Sequence, residues 1–100
     1  MSSTISPYRL QFLPQAKDEW DKLDAAIRTQ FAKVLLRRLE SPRVPAAALT
    51  SMPDCYNIKL RSTGFRLVYQ VQDDKLVLLT IAVGKRDKSA VYDAAKQRLR

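Results

Sequence analysis

The chain has no histidine, one cysteine and only two glutamates among its 100 residues. Without histidine the commonest general acid–base group is missing, and no Cys–His nucleophile pair can be assembled. The lone Cys55 excludes an internal disulfide, fits a cytoplasmic location and reads as a small apolar filler. Glu19 and Glu40 both fall on predicted helices, and no carboxylate cluster is in sight to hold a catalytic metal, so no metal or other cofactor is expected. No apolar run reaches 18 residues and no lipidation motif is present, so no membrane partner is expected. The N-terminus lacks a signal-peptide pattern, because Tyr8 to Leu13 alternates like a strand. Internal repeats and low-complexity tracts are absent, and the length fits one domain spanning residues 1–100.

Positive charge, in contrast, is abundant and uneven. The net charge is +8; residues 1–55 carry eight Lys/Arg against six Asp/Glu, and residues 56–100 carry ten against four. Six of those cations lie between Asp54 and Arg86. Like charges gathered on short strands oppose folding, and a polyanion is the natural compensating partner.

The element pattern begins with Tyr8, Leu10 and Phe12 alternating with Arg9, Gln11 and Leu13, which predicts a first strand. Pro14 suits the first turn of a helix, and Ala16, Trp20 and Leu23 follow at helical spacing. Asp24 is placed to cap a second helix whose stripe is Ile27, Phe31, Val34, Leu35 and Leu39. Ser41-Pro42 ends it, since a residue before proline avoids the helical region. The charges Arg28, Lys33, Arg37 and Arg38 on this helix read as a solvated face, and Trp20 as a core residue. Pro42 to Pro53, with three prolines, reads as a connection across the sheet.

A β-hairpin follows. Tyr56, Ile58 and Leu60 alternate with Asn57, Lys59 and Arg61; after the turn Ser62-Thr63-Gly64, Phe65, Leu67, Tyr69 and Val71 alternate with Arg66, Val68, Gln70 and Gln72. A period of two puts Lys59 and Arg61 on one face, and the turn returns Arg66 to it. Asp73-Asp74 predicts another turn. Leu76 to Val83 is an almost unbroken apolar run that predicts a strand buried on both faces, with helices covering one side of the sheet. Gly84 ends that strand and Lys85-Arg86 lie at its exit. Asp87 or Ser89 can cap a last helix carrying Val91, Ala95 and Leu99, with Tyr92 in its first turn. The order β-α-α-β-β-β-α predicts an α+β domain: a small, largely antiparallel sheet with an N-terminal αα-hairpin and a C-terminal helix.

Several blocks of this sequence together resemble the RelE toxin family. They are Glu19-Trp20-x-Lys22-Leu23, Glu40-Ser41-Pro42-Arg43, Met52-Pro53-Asp54-Cys55-Tyr56, Ile58-Lys59-Leu60-Arg61-Ser62, Arg66-Leu67-Val68-Tyr69-Gln70 and Val83-Gly84-Lys85-Arg86. The likeness runs in register from the first strand to the last helix. It implies a type II toxin that enters the ribosomal A site and cleaves messenger RNA there, the RNA's own 2′-OH attacking the neighbouring phosphate. It also implies a cognate acidic, RelB-like antitoxin, with promoter DNA bound only through the toxin–antitoxin complex.

The resemblance assigns roles to four residues. Lys59 matches the base or 2′-OH contact, Arg66 the phosphate-stabilising arginine, Arg86 the proton donor to the leaving oxygen, and Tyr92 the tyrosine that stacks on a base and orients the substrate. Arg43, Asn57, Arg61, Lys85 and Lys88 are expected to contact RNA or the ribosome. Positive neighbours favour the neutral lysine that a base role requires. The chain departs from the family at Asn57, where the best-known members carry a second lysine, and at Ala48 and Thr50, where they carry basic residues. An asparagine can hydrogen-bond a phosphate or a 2′-OH but cannot act as a base. The related ParE proteins poison gyrase on the same fold, so a gyrase poison is one alternative function. A non-catalytic RNA- or ribosome-binding module is the other.

Overall fold

The computed structural model describes residues 7–85 and 90–99. Its elements are β1 (Arg9–Phe12), α1 (Pro14–Asp21), α2 (Ala25–Glu40), a short 3-10 turn at Pro45–Ala47, β2 (Cys55–Leu60), β3 (Phe65–Gln72), β4 (Val77–Lys85) and α3 (Ala90–Arg98). The predicted order is therefore present in full, as an α+β fold. Pro14 opens α1 as its first residue. Asp24 precedes α2 without a side-chain cap bond, and α2 stops at Glu40, where Ser41 turns to extended backbone ahead of Pro42.

The four strands form one sheet in the order β1-β4-β3-β2. β2–β3 and β3–β4 pair antiparallel, whereas β1 runs parallel to β4. "Largely antiparallel" thus becomes a mixed sheet. Two hairpins fix the antiparallel pairs locally, but no short connection governs how β1 meets β4.

Helices cover both faces of the sheet, not one. On the first face Ile27, Phe31 and Leu35 of α2 pack on Tyr56, Ile58, Leu60, Leu67, Tyr69, Val71, Leu78 and Val83. Burying each large side chain of that stripe contributes about 1.5–3 kcal/mol. Trp20 sits at the edge of this cluster, 5.3 Å from the Phe12 ring and 6.2 Å from Phe31, joining α1 to α2. On the second face Val91 and Ala95 of α3 pack on Cys55, Val68, Ile81 and Ala82. Both sides of β4 are consumed, as its unbroken apolar run requires.

Three local features shape the second face. The β3–β4 register slips between Val68 and Tyr69, so that Val68 pairs with Ala82 and Tyr69 with Thr80. Ile81 is the extra residue, and the bulge turns Ile81 and Ala82 both toward α3. Gly84 pairs with Arg66, and a Cβ there would stand 3.0 Å from a Val91 methyl; the missing side chain lets α3 approach β4 beside Arg66. Leu76 does not start the strand as predicted. It belongs to the turn before β4, at φ 54°, a left-handed conformation uncommon for leucine.

The Pro42–Pro53 connection also departs from expectation. It does not cross the sheet but folds back along edge strand β2. Ala48 bridges Tyr56, and the Leu49 N–H donates to the Cys55 carbonyl at 3.0 Å.

Candidate nucleic-acid cleavage site

The site is built at the end of the β2–β3 hairpin. The Arg61–Gly64 turn closes through the Gly64 N–H donating to the Leu60 carbonyl at 2.8 Å, with Gly64 at φ 80°. That closure sets Lys59 directly opposite Arg66. Arg61 lies in the turn itself, and Lys59, Leu60, Arg61, Gly64 and Arg66 line a cleft of about 280 Å³.

From the other side α3 brings Tyr92. Its hydroxyl accepts a hydrogen bond from Arg66 Nη1 at 3.0 Å and another from Asn57 Nδ2 at 3.1 Å. Arg66 Nε is buried without a partner, so the guanidinium is held at one corner and unsatisfied at another. Lys59 is exposed, and it joins Asn57, Tyr92, Asp93, Lys96 and the Ala46–Met52 segment around a second cleft of about 440 Å³. Three of the four residues expected to be catalytic are thus placed on described elements, and Lys59, Arg66 and Tyr92 share the α3 face. Arg86 and Lys88 lie outside the described residues.

Of the other expected contacts, Asn57 and Arg61 join these clefts, whereas Lys85 and Arg43 do not. Lys85 pairs with Phe65, and its ammonium lies 5.9 Å from the centre of that ring, on the face that α2 covers. Arg43 sits at the far end of the sheet. There it donates to Asp73 at 2.8 Å and Asp54 at 3.0 Å, and the Tyr8 hydroxyl donates to Asp73 at 2.6 Å. The Tyr8 hydroxyl and the Arg43 guanidinium hold the Asp73 carboxyl below its ordinary range, while the Asp73 hydrogen bond raises the Tyr8 phenol and the Arg43 guanidinium.

Two of the cations read as solvated are structural. Arg28 donates to the Leu23 and Asp21 carbonyls at the end of α1. Arg38 donates to the Asn57 carbonyl at 3.2 Å and to the Tyr69 hydroxyl at 2.7 Å, and Tyr69 in turn donates to the Pro42 carbonyl at 2.7 Å. Burial raises the Tyr69 phenol, with Arg38 opposing. Burial, helped by Asp54, pushes the Cys55 thiol up to about 11, which suits an inert filler.

Sequence reasoning also missed the fork that seats α3. Arg98 donates through Nη2 to Glu19 Oε2 at 2.8 Å and through Nη1 to Glu19 Oε1 and the Ile81 carbonyl, both at 2.9 Å. The Val83 N–H donates to the same Glu19 Oε1 at 3.0 Å. The two residues are 79 positions apart, and neither has a local pattern that announces the other. Among the described residues no three His, Cys, Asp or Glu side chains come together to hold a metal ion. No described helix is long and apolar enough to cross a membrane.

Residues 10–90 match the model of the ParE toxin of type II toxin–antitoxin systems. The chain is 53% identical over 92 residues to the mRNA interferase toxin RelE of Escherichia coli strain K12, covering 92% of this chain and 97% of that protein. Among solved structures, a double arginine-to-alanine variant of E. coli toxin RelE in the free state superposes with a TM-score of 0.86 at 52% identity, over 93% of this chain and 98% of that one. The toxin of the intact E. coli RelBE toxin–antitoxin complex matches at 53% identity and a TM-score of 0.78, over 81% of this chain and 99% of that one. The basic, histidine-free hairpin, its facing tyrosine helix and these likenesses agree, and the chain belongs to the ParE toxin family of type II toxin–antitoxin systems, among its RelE members.

Proposed function

We propose that this chain is the toxin of a type II toxin–antitoxin pair and a ribosome-dependent endoribonuclease that cuts messenger RNA in the A site. The observation that carries the reading is the placement of the Arg66 guanidinium, opposite Lys59 and bonded to Tyr92. Its planar fork suits two oxygens of one phosphate. In 2′-OH attack, negative charge grows on the phosphate as the pentavalent centre forms, and Arg66 stabilises that charge. Lys59 contacts the attacking 2′-OH and takes its proton, Tyr92 orients the strand, and Arg86 serves the leaving 5′-oxygen. Supporting this, the relative at 53% identity is named an mRNA interferase.

A site with no histidine and no second base gains most from having its substrate held in line for it. The ribosome supplies that positioning, so naked RNA is a poor substrate. The antitoxin is an acidic chain that covers the basic face, in keeping with the RelB complex of the E. coli relative. The pair acts in the cytoplasm, where translating ribosomes are, and meets promoter DNA through the antitoxin.

Mapping messenger RNA 5′ ends in a purified translation system tests the reading. New ends within A-site codons, absent with the Arg66→Ala protein, are expected. Toxicity with intact messages and trapped gyrase–DNA complexes would move the chain to the gyrase-poisoning members of its family. Stalled ribosomes without new ends would make it a binding module.

A further inference from the structure

We infer that Asn57 is a positioning residue that forces Tyr92 to act as a hydrogen-bond donor toward the RNA; the inference rests on the cleavage reading above. Asn57 is the one polar side chain of β2 that is mostly buried, at 9% exposure. Burying a carboxamide without partners costs a few kcal/mol. Here Nδ2 donates to Tyr92, and Arg38 Nη1 donates to the backbone carbonyl of the same residue, which fixes the strand beneath it.

The consequence falls on the phenol. A tyrosine oxygen can accept from two donors while donating its single proton once. Arg66 Nη1 and Asn57 Nδ2 take both accepting positions, at 3.0 and 3.1 Å. Neither nitrogen can accept in return, because a guanidinium and an amide NH₂ are donors only. The phenolic proton is therefore turned away from both, toward the cleft that Tyr92 shares with Lys59. What meets it there must be an acceptor, and on a bound RNA strand those are phosphate and ribose oxygens.

The same geometry narrows the expected direct contact of Asn57 with phosphate to one N–H. With one N–H of Nδ2 committed to Tyr92, the side chain keeps a second N–H and Oδ1, and neither carries charge. A lysine at this position would bring charge. The asparagine brings direction instead, with Arg66 as the other half of the clamp.

A double-mutant cycle on ribosome-bound messenger RNA separates this role from a direct one. Asn57→Leu keeps the volume but removes the donor. It should lower the single-turnover rate at saturating toxin by roughly fivefold to tenfold, the worth of one hydrogen bond, with little change in the half-saturating concentration. In a Tyr92→Phe background, Asn57→Leu should cost less than about twofold, because the group it orients is gone. Equal losses in both backgrounds would mean that Asn57 acts on RNA directly and would overturn the inference, as would an unimpaired Asn57→Leu protein. A readout without activity accompanies the cycle. The Asn57 side-chain amide resonances should move, and exchange faster with solvent, in Tyr92→Phe; if they do not, the bond is absent and the inference fails. Wild-type protein that leaves messages intact while passing the amide test would sink the cleavage reading and leave the clamp standing.

Discussion

At the scale of single residues, Arg66 is the position where folding and function pull apart. Its Nε is buried without a hydrogen-bond partner, which costs stability, while the cation as a whole is placed to serve the substrate. Arg66→Ala should therefore cut the single-turnover rate by roughly 10²–10³-fold, as loss of a transition-state donor does, while thermal stability holds or rises. Arg66→Lys should recover little, because a point charge does not replace a fork. A variant that loses only ribosome affinity would make Arg66 a docking residue. Among the described residues Thr80 is the other with a buried, unsatisfied side-chain atom, its hydroxyl lying beside the β4 bulge. Nothing in its surroundings gives that hydroxyl a task, so Thr80→Val, matched in shape, should raise stability by about 1 kcal/mol in denaturant titrations. A loss of stability would reveal a partner for it.

At the scale of elements, α3 decides whether the site exists. It is nine residues long and buries only Val91 and Ala95, too little to hold a short helix by itself. The Glu19–Arg98 fork supplies the remaining attachment and also pins Val83 on β4. Burial pushes the Glu19 carboxyl up, but the Arg98 hydrogen bond, the Val83 N–H and the neighbouring positive charge together outweigh it, so the group lies below its ordinary value. A carboxyl depressed by folding stabilises fully above its unfolded value and progressively less as pH falls through the folded one. Glu19→Gln should thus cost about 1–2 kcal/mol at neutral pH, discounted for partial exposure. The gap from wild type should close as the solution is acidified below the ordinary carboxylate range. Paired melts across pH measure this, and a gap independent of pH would remove the charge from the account. Arg98→Ala should speed hydrogen exchange in α3 more than in α2.

At the scale of the whole molecule, the charge is sorted by the fold. The Asp73 and Asp54 carboxylates are drawn to Arg43 at one end of the sheet, and Glu19 to Arg98 beside α3. Lys59, Arg61 and Arg66 are left around one cleft at the other end. That arrangement gives an acidic antitoxin segment a field to follow. Association should be fast at low salt and slow markedly as salt rises, while dissociation, governed by short-range packing, changes less. Stopped-flow measurements at several salt concentrations would show it; a flat association rate would argue for recognition by apolar contacts.

The sequence alone determined what local rules can determine. Alternation and the Ser62-Thr63-Gly64 turn set the hairpin that opposes Lys59 and Arg66, because register follows from the pleat and the turn. Ser41-Pro42 ended α2, and the almost unbroken apolar run before Gly84 announced a strand covered on both sides. Tertiary structure decided which partners meet at a distance. Nothing local says that β1 lies parallel to β4, or that α3 takes the face opposite α2. The bulge at Ile81 was equally hidden, since a strand apolar on both faces carries no alternation to break. Period two foretold a shared face for Lys59 and Arg66, but it could not foretell that a helix 26 residues beyond Arg66 would deliver the Tyr92 hydroxyl there. It also could not place Lys85 over Phe65, because the orientation of a strand-end side chain depends on what packs against it. Faces are a property of the chain's pleat; the filling of a face is a property of packing, and the Arg66–Tyr92–Asn57 constellation exists only once α3 is seated.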